Sequence, residues 1–155
     1  MCYRKGYDFK IEHMSLPIQS IVNKISMDQI FLTPRINLPP EQWSDEEISQ
    51  YFESILINFP IYPFWFSFDQ NKYWEIFDGY KRITAFKKFI LSNYDEKSFK
   101  LKGMKFLTNL NGCTFDKLPI SYKKKILERY CKVYMIRYCE PNDIKDEVLR
   151  RLGKL

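Results

Sequence analysis

The chain has 155 residues, is 45% hydrophobic and 17% aromatic, and carries a formal net charge of +6 with a pI near 9.0. That length fits one domain with a hydrophobic core, and that composition excludes a disordered chain. No apolar stretch reaches the roughly 20 residues of a spanning helix, and the charged N-terminal segment has no apolar signal region, so we expect a cytoplasmic protein with no membrane partner.

The elements follow in chain order. Residues 1–14 are of mixed character and suit an arm or an edge strand. Residues 17–25 read as a short helix, with Ser15 near its start and Pro17 early in it. A short strand over 29–32 ends before Pro34. Residues 34–43, PRINLPPEQW, contain three prolines, which fix φ and remove donors, so an ordered extended loop is expected. Ser44 with Glu47 three positions later forms a capping box. Ile48, Tyr51, Phe52, Ile55, Leu56 and Phe59 then recur with the spacing of one buried helix face. Asn58 and Pro60 end that helix.

The run 61–68, IYPFWFSF, is dense in strand formers, and Asp69-Gln70-Asn71 supplies turn residues. Residues 72–77, KYWEIF, return as the second strand of a hairpin. Beyond Gly79 the pattern turns helical, with Ile83, Phe86, Phe89 and Ile90 on one face. A polar loop over 93–102, a short helix near 104–110, a helix over 119–130, a strand over 131–138 and a terminal helix over 141–152 complete the reading. Helices and strands mix without regular alternation, which places the fold in the α+β class.

The residue inventory narrows the chemistry. The four cysteines at 2, 113, 131 and 139 form no Cys-x-x-Cys pair, and His13 is the only histidine. Zinc has little ligand supply, and reduced, partly buried thiols are expected. His13 lies in a polar stretch and reads as a surface residue, which disfavours Ser-His-Asp and Cys-His catalysis. The lysine run 123–125 reads as a solvated helix face.

The segment IFDGYKRITAF puts Asp78-Gly79 at the change from strand to helix. Such a junction suits an anion, because the first helical N–H groups lack intrahelical acceptors and share the positive end of the helix dipole. Gly79 lets a phosphate approach the backbone, and Lys81 and Arg82 add cationic donors. Asp78 has three readings: it coordinates a metal, positions water, or caps the helix. The pentapeptide alone also fits an ordinary helix start, and a full P-loop is absent.

Several ordered blocks resemble one family. They are PRINLPPEQWSDEE, FESILINFPIYPFWF, WEIFDGYKRITAFKKF, LKGMKFLTNLNG, FDKLP and YMIRYCEPNDIKDEVLRRL. In this order they resemble the N-terminal domain of GmrSD-type restriction and phage-defence proteins, within the ParB/sulfiredoxin-like superfamily. The resemblance implies a small mixed sheet flanked by helices. It also implies nucleotide binding, and weak Mg²⁺-dependent NTP hydrolysis, at the family's Asp-Gly-Gln-Gln-Arg turn. Asp78, Gly79 and Arg82 keep that turn, while Tyr80 and Lys81 replace its glutamines. Gly79, Arg82 and Ala85 also fit the superfamily spacing Gly-x-x-Arg-x-x-Ala.

Glu53 falls in a segment similar to the family's Ile-Glu-Ser block. On the helical wheel it lies off the buried stripe, either as a solvent-facing carboxylate or beside the phosphate or metal. Arg35 and Asn37 match a family form of the proline loop, where Arg35 either reaches the nucleotide or braces the loop. Longer relatives continue into helical and nuclease domains, and residues 1–155 are expected to form the single N-terminal domain without them. The alternatives are a catalytically degenerate DNA-binding module, in which Tyr62, Trp65, Tyr73 and Trp74 either fill strand cores or stack on bases, and a scaffold that pairs with a full-length relative or with itself.

Overall fold

A computed structural model describes residues 10–31, 42–68, 73–91 and 98–137, together with 147, 150 and 151. Five strands and four α-helices are seen among them: β1 (Lys10–Pro17), α1 (Ile18–Ser26), β2 (Ile30–Phe31), α2 (Asp45–Leu56), β3 (Phe64–Phe68), β4 (Trp74–Asp78), α3 (Tyr80–Phe89), α4 (Ile120–Leu127) and β5 (Tyr130–Arg137). The fold is α+β, as composition and element order imply. The strands make one mixed sheet in the order β1-β5-β3-β4-β2. β1 pairs antiparallel with β5, and β3 antiparallel with β4, whereas β3–β5 and β2–β4 run parallel.

The helices form where local chemistry favours them. Ser44 accepts from the Glu47 N–H at 3.2 Å while its own N–H donates to the Glu47 carboxylate at 2.8 Å, so the capping box is complete. α1 and α2 stop alike. Asp28 and Asn58 take left-handed φ values of 55° and 65° just past the helix ends. The following N–H of Gln29 reaches back to Lys24 O, and that of Phe59 to Ser54 O, which is the Schellman arrangement.

One face of the sheet carries the core. Phe64, Phe66, Trp74, Val133 and Met135 meet Ile18, Ile21 and Ile25 of α1, Ile48, Phe52 and Ile55 of α2, Ile83, Phe86 and Phe89 of α3, and Ile126 of α4. Aromatic rings fill its centre, with Phe52 against Phe89 at 4.6 Å and Phe64 against Phe86 at 5.9 Å between centroids.

Three expectations change. The strand expected from residue 61 starts at Phe64, because the carbonyls of Tyr62 and Pro63 are taken by a side chain. The short helix expected over 104–110 is a single 3₁₀ turn, Thr108–Leu110, within a loop organised by side-chain bonds. α4 ends at Leu127, because Tyr130 already belongs to β5. The proline loop over 34–41, with Arg35 and Asn37, lies outside the described residues, as do Cys2 and Cys139. Among the described residues, Cys113 and Cys131 are free thiols. No described helix is long and apolar enough to cross a membrane.

Replacing Ser44 by Ala removes the N-terminal half of the capping box and is expected to cost about 1 kcal/mol in urea unfolding.

Candidate functional site

The turn between β4 and α3 brings together four of the residues singled out above. Gly79 is the N-cap of α3, with φ of 122°, and has no side chain of its own with which to cap it. Its conformation is one that side chains resist, and the space is also closed: a Cβ there would lie 2.7 Å from Cδ1 of Phe64. Gly79 is therefore demanded by backbone angle and by packing on β3 together. The first intrahelical bond runs from the Ile83 N–H to Gly79 O, at 2.9 Å.

Arg82 is only 7% exposed. Its Nη1 donates to the carbonyl oxygens of Tyr62 and of Pro63, the latter at 3.0 Å. Its Nη2 lies 3.6 Å from the Asp78 carboxylate, one turn back. The guanidinium also covers the Phe64 ring, 4.4 Å from its centroid. Arg82 thus ties the start of α3 and the end of β4 to the strand before them. Lys81 and Asp78 are half-buried.

A second arginine, Arg129, was not singled out by sequence. Its Nη1 donates to Asn58 Oδ1 at 2.9 Å, and its Nη2 donates to Phe59 O at 2.9 Å. The whole connection from α2 to β3 is thereby held by two guanidinium groups. Burial pushes the Tyr51 phenol up, with a further rise from Cys131, and the charges of Arg82 and Arg129 act the other way. The Tyr51 hydroxyl is buried without a hydrogen-bond partner. Burial also pushes the Cys131 thiol up to about 11, which makes it an inert core group at neutral pH.

Glu53 does not face solvent. It is 3% exposed, because the loop around residues 101–113 folds over the flank of α2 that the apolar stripe leaves uncovered. Its carboxylate accepts the backbone N–H groups of Lys105 at 3.1 Å, Phe106 at 2.9 Å and Leu107 at 2.9 Å. One turn earlier, Ser49 Oγ accepts the Lys102 N–H at 2.9 Å. Burial alone would raise the Glu53 pKa, but the three N–H bonds outweigh it and hold the carboxyl below its ordinary range. These contacts commit both oxygens of Glu53 to the loop. Sequence could have flagged it only by asking what covers a polar position beside a well-formed stripe.

Among the described residues, no group of three or more His, Cys, Asp and Glu side chains comes together as a metal site. Of the aromatic residues considered for stacking, Trp74 is buried in the core, Trp65 lies on the opposite face of the sheet, and Tyr62 is 80% exposed. No protein-family model matches the chain, and no curated protein or solved structure gives a significant match.

Gly79→Ala combines a disfavoured φ with a clash on Phe64 and is expected to lose about 3 kcal/mol of stability, read from the urea midpoint. Because the folded pKa of Glu53 is depressed, its stabilisation is present above the ordinary glutamate range and is lost as pH falls through the folded value. Wild type should therefore exceed Glu53→Gln most at neutral pH, with the gap closing in acid. A gap independent of pH would show that charge is not what holds the loop.

Proposed function

We propose that this chain is a nucleotide-binding domain that seats the phosphates of a nucleoside triphosphate at the start of α3. The observation that carries the reading is Gly79: it is the N-cap of an α-helix, has φ of 122°, and brings no capping side chain to the helix end. The helix dipole and the first-turn backbone favour an anion there. Lys81, in the same turn, supplies an ammonium group. Arg82 takes a supporting role in this reading, since its donors hold the carbonyls that shape the turn. Its charge still adds to the local field at low dielectric.

Mg²⁺ belongs to the same proposal as a companion of the triphosphate. In such sites Mg²⁺ is held by one or two carboxylates together with the phosphates, and Asp78 is the carboxylate of this turn, although Arg82 already shares it. When bound, the ion would supply charge neutralisation at the phosphates. Any hydrolysis is assigned to this turn and not to Glu53, whose oxygens are filled by the loop. The block-by-block resemblance to GmrSD-type proteins supports this reading, which we extend to a role in a restriction or phage-defence system. Arg35 remains a further phosphate contact in the proposal, from outside the described residues.

Calorimetric titration with ATP, GTP, CTP and UTP in the presence of Mg²⁺ tests it. At least one should bind, and Lys81→Ala should weaken that binding by about tenfold, the loss of one charge-assisted contact. Arg82→Ala is a poor probe, because it strands two carbonyls and unfolds the turn. The absence of binding to all four nucleotides would sink the proposal.

A further inference from the structure

β1 and β5 carry a second constellation on the sheet face opposite the helices. Their register sets His13 against Tyr134 and Ser15 against Lys132. Side chains alternate along strands, so these four share one face, while Met14, Leu16, Val133 and Met135 pack on the core side. Trp65 of β3, registered with Tyr134, joins them.

The rings form a row across three adjacent strands. Trp65 stacks on Tyr134 with centroids 4.5 Å apart and planes at 20°. His13 meets Tyr134 edge-on at 4.7 Å and 74°. A cavity of about 260 Å³ opens beside the row, lined by His13, Ser15, Lys132 and Tyr134 together with Met14 and Val133. His13, Ser15 and Lys132 are exposed, and Trp65 and Tyr134 are half-buried.

Further along this face Ile136 and Ser67 are buried, whereas the row itself lies at the accessible end, where it borders a cation and a hydroxyl. That combination suits a single nucleic-acid strand: rings stack on any base, and cations follow the backbone. The volume is below the roughly 300–1,000 Å³ of small-molecule pockets, which fits one unstacked base better than a complete free triphosphate. The net charge of +6 favours a polyanion.

We propose that this face binds single-stranded nucleic acid, with one base against His13 and Tyr134 and the neighbouring phosphate on Lys132 and Ser15. The site is separate from the start of α3, and the two are tested independently.

Fluorescence anisotropy of labelled oligo-dT and oligo-U over a salt series, with the full chain, provides the test. Wild type should bind both strands, and a duplex of equal length should compete at least about tenfold less well. Lys132→Ala should reduce the slope of log affinity against log salt by about 0.7, the share of one phosphate contact on a single strand. His13→Ala should weaken binding about tenfold with the slope unchanged. Both residues are exposed, so circular dichroism should show an intact fold. Lys81→Ala should leave strand binding as it is. The proposal is overturned if no strand binds, if both sheet variants bind like wild type, if UMP displaces the strand at equal concentration, or if Lys81→Ala abolishes strand binding.

Discussion

The guanidinium of Arg82 joins three places that the chain visits separately. It reaches the carbonyls of Tyr62 and Pro63 before β3, the carboxylate of Asp78 at the end of β4, and the ring of Phe64 beneath. Backbone carbonyls close to a core need donors, and a loop cannot supply them from a ladder. Arginine reaches two carbonyls and a carboxylate in different directions because its five donors form a rigid planar fork, whereas an ammonium group has three donors gathered on one atom. Without Arg82, the part-buried carbonyls of Tyr62 and Pro63 would lose their guanidinium donor and Asp78 its paired charge, and removing one partner of such a bond costs more than the bond itself returns. The guanidinium fixes the start of α3 against the hairpin, with Gly79 permitting the close approach to Phe64, while Phe86 packs on Phe64 further along the helix.

Two further buried or half-buried charges do similar work. Arg129 closes the end of α2 by holding Asn58 and Phe59. Glu53 does the opposite task with opposite charge, gathering three N–H groups of a loop that has almost no regular structure of its own. The aromatic core supplies most of the driving force, as apolar burial generally does. The charged groups decide where the irregular segments lie upon it.

Much of the fold was legible because it rests on local rules. The capping box at Ser44 and the apolar period from Ile48 mark α2, and the dense β-formers about Asp69 mark the hairpin of β3 and β4. The break at Asp78-Gly79 marks the start of α3. What was not legible depends on partners distant in sequence. A helical wheel ranks Glu53 as outward because it counts apolar neighbours only, and the loop 52 residues away that turns it inward has no periodicity to read. Likewise, Arg82 reads as a phosphate ligand in a pentapeptide, since nothing there shows the carbonyls twenty residues upstream. The cross-strand meeting of His13 and Tyr134 requires knowing that β1 and β5 are neighbours, which no local pattern states.

That neighbourhood has a kinetic consequence. β1 and β5 lie at opposite ends of the described chain, yet every residue from Lys10 to Pro17 has a partner between Tyr130 and Arg137. Closing so long a loop is entropically costly before any contact rewards it. The β3–β4 hairpin with α3 closes over short separations and can form early, offering the free edge of β3 as a template. β1, whose partner in the sheet is β5, has nothing to pair with until β5 has been made. Of the described strands β1 is synthesised first and waits longest, so the nascent chain carries an unpaired strand until nearly all the other described strands and helices have been made.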